Sequence, residues 1–505
     1  MAAATTVQKD ITIVGGGIIG CTTAYFLARH PAYSPTTHRI TLLEACSSSH
    51  SGGRTSDSVA DPTALADAAA AAAGAGTVGS DATAGATTAC RLRKQHDGLA
   101  AGASGKAGGL LARWAFPRAI APLSFKLHAE LAAEHGGATA WGYRRCHAAQ
   151  VNCRAQQHAE GRGARRKAGD GETGGHGGGS KGLHKDHKKE KADGTGSAPG
   201  ALDWVDEDTL LDYSEIGNPD NTAQVHPELF THRMAQLAEE AGARIITGAR
   251  VTGISAAGSG RDAAVESVTY VVDDGHGGGA TTHTLPTTDC IVAAGPWTPR
   301  LLPRVHVSAS RAHSIVVRAP PPGLSAHALF TSIALPRGFF PSPVNDDNAG
   351  SAGEKEDTGA RKALGQPTTV EPEIYARPDG TAYACGPTDT AVELPETAAA
   401  VRVDEARCAD IAAQVASISE ALSPASSPAE GGDSGNAHIL ARQACYLPQG
   451  GPFIGPVSRP GKGVIVAAGH TCWGIQNAPA TGLLVSELVF DGKASSANLV
   501  GCRPE

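Results

Sequence analysis

Aromatic residues make up only 4 % of this 505-residue chain, too few for an undiluted globular core, which points to spacer segments set between ordinary ones. Cysteine occurs eleven times but never as a CxxC pair, and an odd, irregularly spaced set argues against a disulfide framework. Reduced thiols and a cytoplasmic location are therefore expected. An excess of positive charge is also missing. The formal net charge is −7, so nucleic acid is not the default partner. No apolar run reaches the length of a bilayer span, and the alanine-rich stretch Ala64–Ala73 is interrupted by Asp67, so no transmembrane segment is expected. Met1–Asp10 has neither the basic nor the apolar region of a signal peptide, and none is expected. His158, His176, His184 and His187 lie near Lys185, Lys188 and Lys189, but their irregular spacing among glycines reads as a solvated loop, and no metal site is expected.

Glycine (63) and proline (31) are abundant, and much of the glycine falls in four segments that read as low-complexity insertions: 46–101, 154–200, 341–367 and 423–437. None can bury enough apolar surface to offset the entropy of ordering. Elsewhere strands and helices alternate. Leu123–Glu134 carries Leu123, Leu127 and Leu131 at helical spacing. Pro227–Gly242 opens with proline and Glu228 and closes at glycine, as a helix should; the strand Arg244–Thr247, a turn at Gly248 and then Val251 follow. Asp289–Gly295 is a short apolar strand closed by glycine. Ser314–Arg318 and Glu373–Arg377 alternate like strands of a separate, mostly antiparallel sheet.

Three glycine-rich motifs stand out. In the first, a strand (Ile11–Val14) runs into Gly15-Gly-Gly17-Ile18-Ile19-Gly20 and a helix to about Arg29, with Ala24, Leu27 and Ala28 on one side. Gly15 allows a sharp turn, Gly17 lets the backbone approach a pyrophosphate, and Gly20 lets helix and strand pack closely. The following strand, Arg39–Glu44, ends in a carboxylate able to accept hydrogen bonds from both hydroxyls of an adenosine ribose. The second motif is Gly102-Ala-Ser104-Gly105-Lys106-Ala107-Gly108-Gly109-Leu110, whose small residues, hydroxyl and cation suit a loop against phosphates or a flat ring. In the third, the strand Gly463–Ala468 leads into Gly469-His470-Thr471-Cys472-Trp473-Gly474-Ile475, and a helix is expected to begin near Pro479 and run through Leu488. Its N-terminus would favour negative charge beside the strand's end.

Together with Asp289–Trp297, and in this order, the motifs resemble FAD-dependent oxidoreductases of the D-amino-acid oxidase and glycine/sarcosine oxidase family. Trp114-Ala-Phe-Pro117 and Cys445-Tyr-Leu-Pro448 are most similar to a fungal-like eukaryotic branch of that family. The resemblance implies an α/β fold, α+β overall, with a Rossmann-like FAD-binding domain (1–45, 102–135, 222–305 and 446–505) and an interleaved substrate domain (136–221 and 306–445) on a mostly antiparallel sheet. It also implies FAD as cofactor. Gly15, Gly17, Ile18, Ile19 and Gly20 would hold the pyrophosphate, Glu44 the ribose, and Ser104–Leu110 the phosphates and flavin edge. Val251 would touch the adenine through its backbone, Ala294, Gly295 and Trp297 would back the ribityl region, and Gly469, His470, Trp473, Gly474 and Ile475 would border the isoalloxazine.

One departure bears on substrate. Members that oxidise amino acids commonly carry Arg-Pro shortly before a Gly-x-Pro-x-x-Gly segment, where the guanidinium clamps a carboxylate. Here that slot holds Ala444-Cys445, and Arg442, two residues away on the same strand face, is the substitute to consider. The resemblance implies oxidation of a C–N bond in a small amine or amino or imino acid by hydride transfer to flavin N5, with oxygen or another acceptor reoxidising the flavin. His470 is a candidate polar group near the ring or a structural tie, Trp473 a wall, and Arg311 and His313 are weaker candidates. Cys385 and Cys472 lie in motifs that could approach the ring. The alternative is a non-catalytic FAD-binding interaction or trafficking factor on the same fold.

Overall fold

A computed structural model describes residues 8–47, 97–156, 200–273, 279–339, 368–424 and 437–504. Ala64–Ala73, His158, His176, His184 and His187, and nearly all of the four segments read as insertions, lie outside the described residues.

Hydrophobic β-branched runs form a six-stranded sheet in the order Phe453–Pro456, Val464–Ala468, Asp289–Val292, Lys9–Val14, His38–Glu44, Arg244–Thr247. Every pairing is parallel except that of Phe453–Pro456 with its neighbour. Central strands of such a sheet are covered on both faces, which is why they read as continuous apolar runs rather than alternating ones. Helices Ile18–Ala28, Ala121–Glu134, Pro227–Glu240 and Gly474–Phe490 cover one face with Ile11, Ile13, Ile40 and Leu42. A three-stranded antiparallel sheet, Ala249–Ala257, Ala264–Asp273 and Ala280–Pro286, covers the other, meeting Val14, Leu43, Val292 and Val466 through Val265 and Val268.

The Ile18–Ala28 helix is buried on almost every side, which its lack of charge permits. It crosses the C-terminal helix closely. Thr22 Oγ1 donates to Ile18 O, and Ala478 O of the other helix lies 3.0 Å away. A Cβ on Gly482 would stand 2.7 Å from Thr22 O.

That C-terminal helix corrects an expectation. It begins at Gly474, not near Pro479, and Pro479 lies inside it. A proline in a helix leaves the carbonyl four residues earlier without its N–H partner. That carbonyl belongs to Ile475, and the buried His128 Nε2 donates to it at 3.0 Å from the Ala121–Glu134 helix. A side chain 347 positions away in sequence makes the proline tolerable.

A second sheet of eight strands carries another core. Its order is His438–Gln449, Ser308–Arg318, Thr381–Cys385, Glu373–Ala376, His327–Leu335, His147–Arg154, Leu210–Gly217, with Thr368–Val370 beside His327–Leu335. All pairings are antiparallel but that of His327–Leu335 with His147–Arg154. Ile315, Leu329, Ile333 and Ile374 pack there against the helix Glu405–Ala416, which Asp404 caps by accepting from the N–H groups of Ala406 and Arg407.

Among the described residues no helix is long and apolar enough to cross a membrane.

Candidate functional site

A long cleft lies at the carboxyl ends of the strands Lys9–Val14, Asp289–Val292 and Val464–Ala468, with a volume of about 1630 Å³ counted out to its solvent-facing mouth. This is where open α/β sheets bind ligands. Its first wall is the turn after Val14. Gly15 adopts φ +113°, and a Cβ there would meet Ala293 O at 2.4 Å; a Cβ on Gly20, beneath the cleft, would meet Gly15 O at 1.9 Å. The turn and the helix can approach the neighbouring strand only because both residues are glycine.

Two side chains converge on this turn. Ser104 Oγ accepts from the Ile18 N–H at 2.9 Å, so a loop 86 residues away supplies the first helix N–H with a partner. Glu44 accepts from the Gly16 N–H at 2.6 Å and the Cys46 N–H at 2.8 Å. Burial pushes its carboxyl above the ordinary value, and these backbone bonds pull it back.

Gly15, Gly17, Ile18, Ile19, Glu44, Ser104, Ala107, Val251, Ala294, Gly295, Trp297, Gly469, His470, Gly474 and Ile475 all line this cleft. Val251 belongs to an edge strand, which leaves backbone groups on one side without a strand partner. Gly105 packs behind the loop, where a Cβ would meet Ala100 O at 2.3 Å. Ala100 and Leu99 are themselves buried, although they fall in the range read as an insertion; Ala100 N–H donates to Gly16 O.

At the far end, Gly469 (φ +81°), His470 (φ −74°) and Thr471 (φ +54°) alternate in hand, and the long helix starts at Gly474. Alternating right- and left-handed residues turn successive N–H groups into one concavity that favours an anion. Thr481 Oγ1 donates to Asn477 O, so His470 Nε2 donates to Thr481 Oγ1 at 3.1 Å. Burial pushes His470 down to about 3, and it is neutral. It ties the loop to the helix.

A smaller cavity of about 630 Å³, also counted to its opening, shares Ala103, Ala107, Leu447, Cys472 and Ile475 with the cleft. Lys106, Gly108, Gly109, Leu110 and Trp473 belong to its wall rather than to the cleft. Trp473 packs edge-on against Trp114 with ring centroids 6.0 Å apart. Lys106 Nζ donates to Ala444 O at 3.0 Å. The remaining wall includes Glu373, Tyr375, Tyr383, Cys385 and Cys445. The Tyr375 hydroxyl donates to Glu373 Oε2, and the Cys385 thiol lies 3.9 Å from the same oxygen. Burial, with the Glu373 charge, keeps the Cys385 thiol well above its ordinary range.

Arg442 is not part of either cavity. Its side chain is 43 % exposed and pairs with Glu405 at 3.4 Å. On its strand the cavity-facing residues are Cys445 and Leu447, and alternation turns Arg442 and Ala444 the other way. Arg311 and His313 are displaced for the same reason, since Ala312 between them is the one that lines the cavity. Arg311 pairs with Asp389 at 3.3 Å, and His313 Nε2 accepts from the Asp404 N–H. Burial, with Arg311 next, pushes His313 down to about 4.

Sequence reasoning missed Glu373 and Tyr375. Their spacing of two on a strand placed them on one face, and a carboxylate in an apolar strand was the available signal. It also missed Glu396, Thr397 and Ala398, which line the cleft from the connection between the strand Thr381–Cys385 and the helix Glu405–Ala416. Trp297 Nε1 donates to Pro395 O at 2.7 Å, Arg300 donates to the carbonyls of Leu394, Pro395 and Glu396, and Arg250 pairs with Glu396 at 3.0 Å. Among the described residues no cluster of His, Cys, Asp or Glu is placed to hold a metal ion.

The residues present fit FAD. A helix N-terminus free of side-chain bulk at Gly17, a hydroxyl, an acid at the second strand's end and an anion-favouring loop at the far end match a dinucleotide with a redox-active ring. The family described as "FAD dependent oxidoreductase" matches residues 10–80 and 83–488. The Saccharomyces cerevisiae protein named "Putative oxidoreductase TDA3" is 28 % identical over 99 % of this chain and 94 % of its own length. A Schizosaccharomyces pombe protein, "Putative oxidoreductase C1F5.03c", is 27 % identical over 99 % of this chain and 98 % of its own. Glycine oxidase from Geobacillus kaustophilus has a similar fold, with a TM-score of 0.55 at 18 % identity over 99 % of each chain. L-amino acid deaminase from Proteus vulgaris gives 0.54 at 14 % identity over 100 % of this chain and 98 % of that one.

Proposed function

The chain belongs to the FAD-dependent oxidoreductase family, and from that premise we propose that it oxidises a carbon–nitrogen bond of a small amine, amino acid or imino acid. The observation that supports this is the small cavity, which meets the cofactor cleft through Ala107, Leu447, Cys472 and Ile475. It adjoins the anion-favouring loop and not the ribose end. Bound FAD supplies the two-electron acceptor for a hydride leaving the carbon next to nitrogen, and the resulting imine is hydrolysed by water.

The chain's own groups position and shield. Peptide N–H groups around Gly469–Cys472 and the N-terminus of the Gly474 helix stabilise negative charge that develops beside them. His470, neutral and bonded to Thr481, holds that loop in place. Trp473 walls the cavity and excludes water. The acceptor that regenerates the cofactor is proposed to be oxygen or another small oxidant.

The test is anaerobic mixing of the yellow, FAD-loaded full chain with primary amines, N-methyl amino acids and imino acids. Bleaching of the visible flavin bands by at least one class, with imine-derived carbonyl product, is expected. A flavin that light reduces readily but no member of the panel bleaches overturns the proposal.

A further inference from the structure

We propose that residues 389–400 form a latch across the cofactor cleft that swings aside whenever FAD enters or leaves. This segment joins two fixed ends. Every residue of the strand Thr381–Cys385 before it is buried, and the helix Glu405–Ala416 after it packs Cys408, Ile411 and Val415 into the second core. Asp389 exchanges backbone hydrogen bonds with Arg311 at 2.7 and 2.8 Å and pairs with its guanidinium. From Thr390 to Ala400 no residue is buried. A segment that adds nothing to either core can open locally while both sheets stay folded.

Hydrogen bonds to its main chain hold it down. The carbonyls of consecutive residues from Val392 to Glu396 accept from three side chains of the cleft wall. Tyr446 O–H lies within 3.0 Å of Val392 O and Glu393 O, Arg300 takes Leu394 O, Pro395 O and Glu396 O, and Trp297 Nε1 takes Pro395 O. The Glu396 carboxylate pairs with Arg250. Two residues later the segment has reached the second glycine motif, where a Cβ on Gly102 would stand 3.8 Å from Ala398 Cβ. The N–H groups of Ala398 and Ala399 meet the Cys46 thiol, two residues beyond Glu44. The segment therefore bridges the cleft at its nucleotide end, with Glu396, Thr397 and Ala398 in the lining. Water can replace each of these bonds when the segment lifts, so opening costs only their modest net worth.

Gly102→Cys combined with Ala398→Cys tests the latch, because a Cβ separation of 3.8 Å suits a disulfide and Gly102 has φ −86°, open to any residue. Release of bound FAD is followed as flavin fluorescence regained on dilution of the full chain, and uptake as quenching by the apoprotein. Oxidation of the double variant should slow both at least about tenfold relative to its reduced form, and a thiol reductant should restore them. The parent chain, oxidised in the same way, controls for its own cysteines. Arg300→Met and Trp297→Phe loosen the latch, and each should quicken uptake and release together, by about tenfold and about threefold. A gate speeds traffic in both directions, whereas a lost contact with FAD speeds release alone. Equal rates in the oxidised and reduced double variant overturn the latch; where no disulfide forms, the single variants decide. Unchanged rates in Arg300→Met and Trp297→Phe, or faster release with unchanged uptake, overturn it too, as does flavin that acid precipitation fails to free from the parent chain. The latch rests on FAD as the cofactor and not on which bond the flavin oxidises, so these outcomes leave the C–N reading to its own test.

Discussion

The two ends of the site are built from different materials. At the nucleotide end, Gly15, Gly17 and Gly20 present backbone within six residues of chain, and Glu44 ends the next strand. At the small cavity, Lys106, Glu373, Tyr383, Cys445 and Trp473 come from segments as much as 367 positions apart and meet only through folding. A backbone site depends on local conformation and close approach. A side-chain site depends on which face of each strand turns inward.

If that contrast holds, the largest effect comes from adding one methyl group at the nucleotide end. Gly20→Ala places a Cβ 1.9 Å from Gly15 O, and neither backbone can yield without moving helix from strand. Overpacking of this kind costs about 1–3 kcal/mol, and where that strain falls on the turn that would hold the pyrophosphate, a loss of FAD affinity of up to about 100-fold is expected. Quenching of FAD fluorescence on titration measures it. An affinity within about threefold of the parent breaks the contrast, because the backbone would then be free to adapt.

The second test asks how far the helix that begins at Gly474, whose Ile475 lines both cavities, depends on a distant side chain. His128 supplies the partner that Pro479 denies to Ile475 O. His128→Leu leaves a buried carbonyl unmet and should lower stability by about 2 kcal/mol, read from denaturant midpoints. Adding Pro479→Ala returns an N–H to that carbonyl and should recover part of the loss; strict additivity of the two changes would show that the bond contributes nothing. The same residue sets a pH dependence. Burial pushes His128 down to about 4 and His470 down to about 3, from an ordinary 6.5. Both are neutral when folded, whereas the unfolded chain binds protons below about 6.5. Stability is therefore complete above pH 6.5 and falls as pH drops toward 4 and then 3, with a shallower fall in His128→Leu.

This uneven construction explains what could be read from the sequence. The strand–turn–helix at Ile11–Arg29 and the acid at Glu44 are contiguous signals, and Gly15 and Gly20 occupy the roles their spacing predicts. The two sheets were legible as runs and alternations. The start of the last helix was misplaced because Pro479 reads locally as a first-turn residue, and nothing near it in sequence announces His128. Glu373 was passed over because its meaning comes from Tyr375, Cys385 and the wall opposite.

A smaller effect is expected at Ser104, whose hydroxyl joins two distant motifs at the nucleotide end. Ser104→Ala removes the partner of the Ile18 N–H, comparable to loss of a helix N-cap at about 1 kcal/mol. FAD should bind about fivefold more weakly, with the protein's fold and flavin spectrum unchanged. A loss as large as that of Gly20→Ala would mean that this side chain, not the backbone, carries the nucleotide end.

The smallest effect should come from Arg442, and its smallness is informative. By composition it is the natural cation for a carboxylate substrate, two positions from Ala444, the slot where the family resemblance leads an arginine to be expected. Alternation along the strand decides otherwise, because Cys445 and Leu447 take the inward face and the guanidinium reaches water beside Glu405 on the outermost strand of its sheet. An exposed pair of this kind contributes less than about 0.5 kcal/mol. Arg442→Ala should therefore leave the denaturant midpoint and the rate of anaerobic flavin reduction by amines essentially as they were. A rise of about tenfold or more in the substrate concentration needed for half-maximal reduction would mean that the strand turns its other face inward during turnover, and that a side-chain site, unlike the glycine turn, is chosen by which residues the strand presents at that moment.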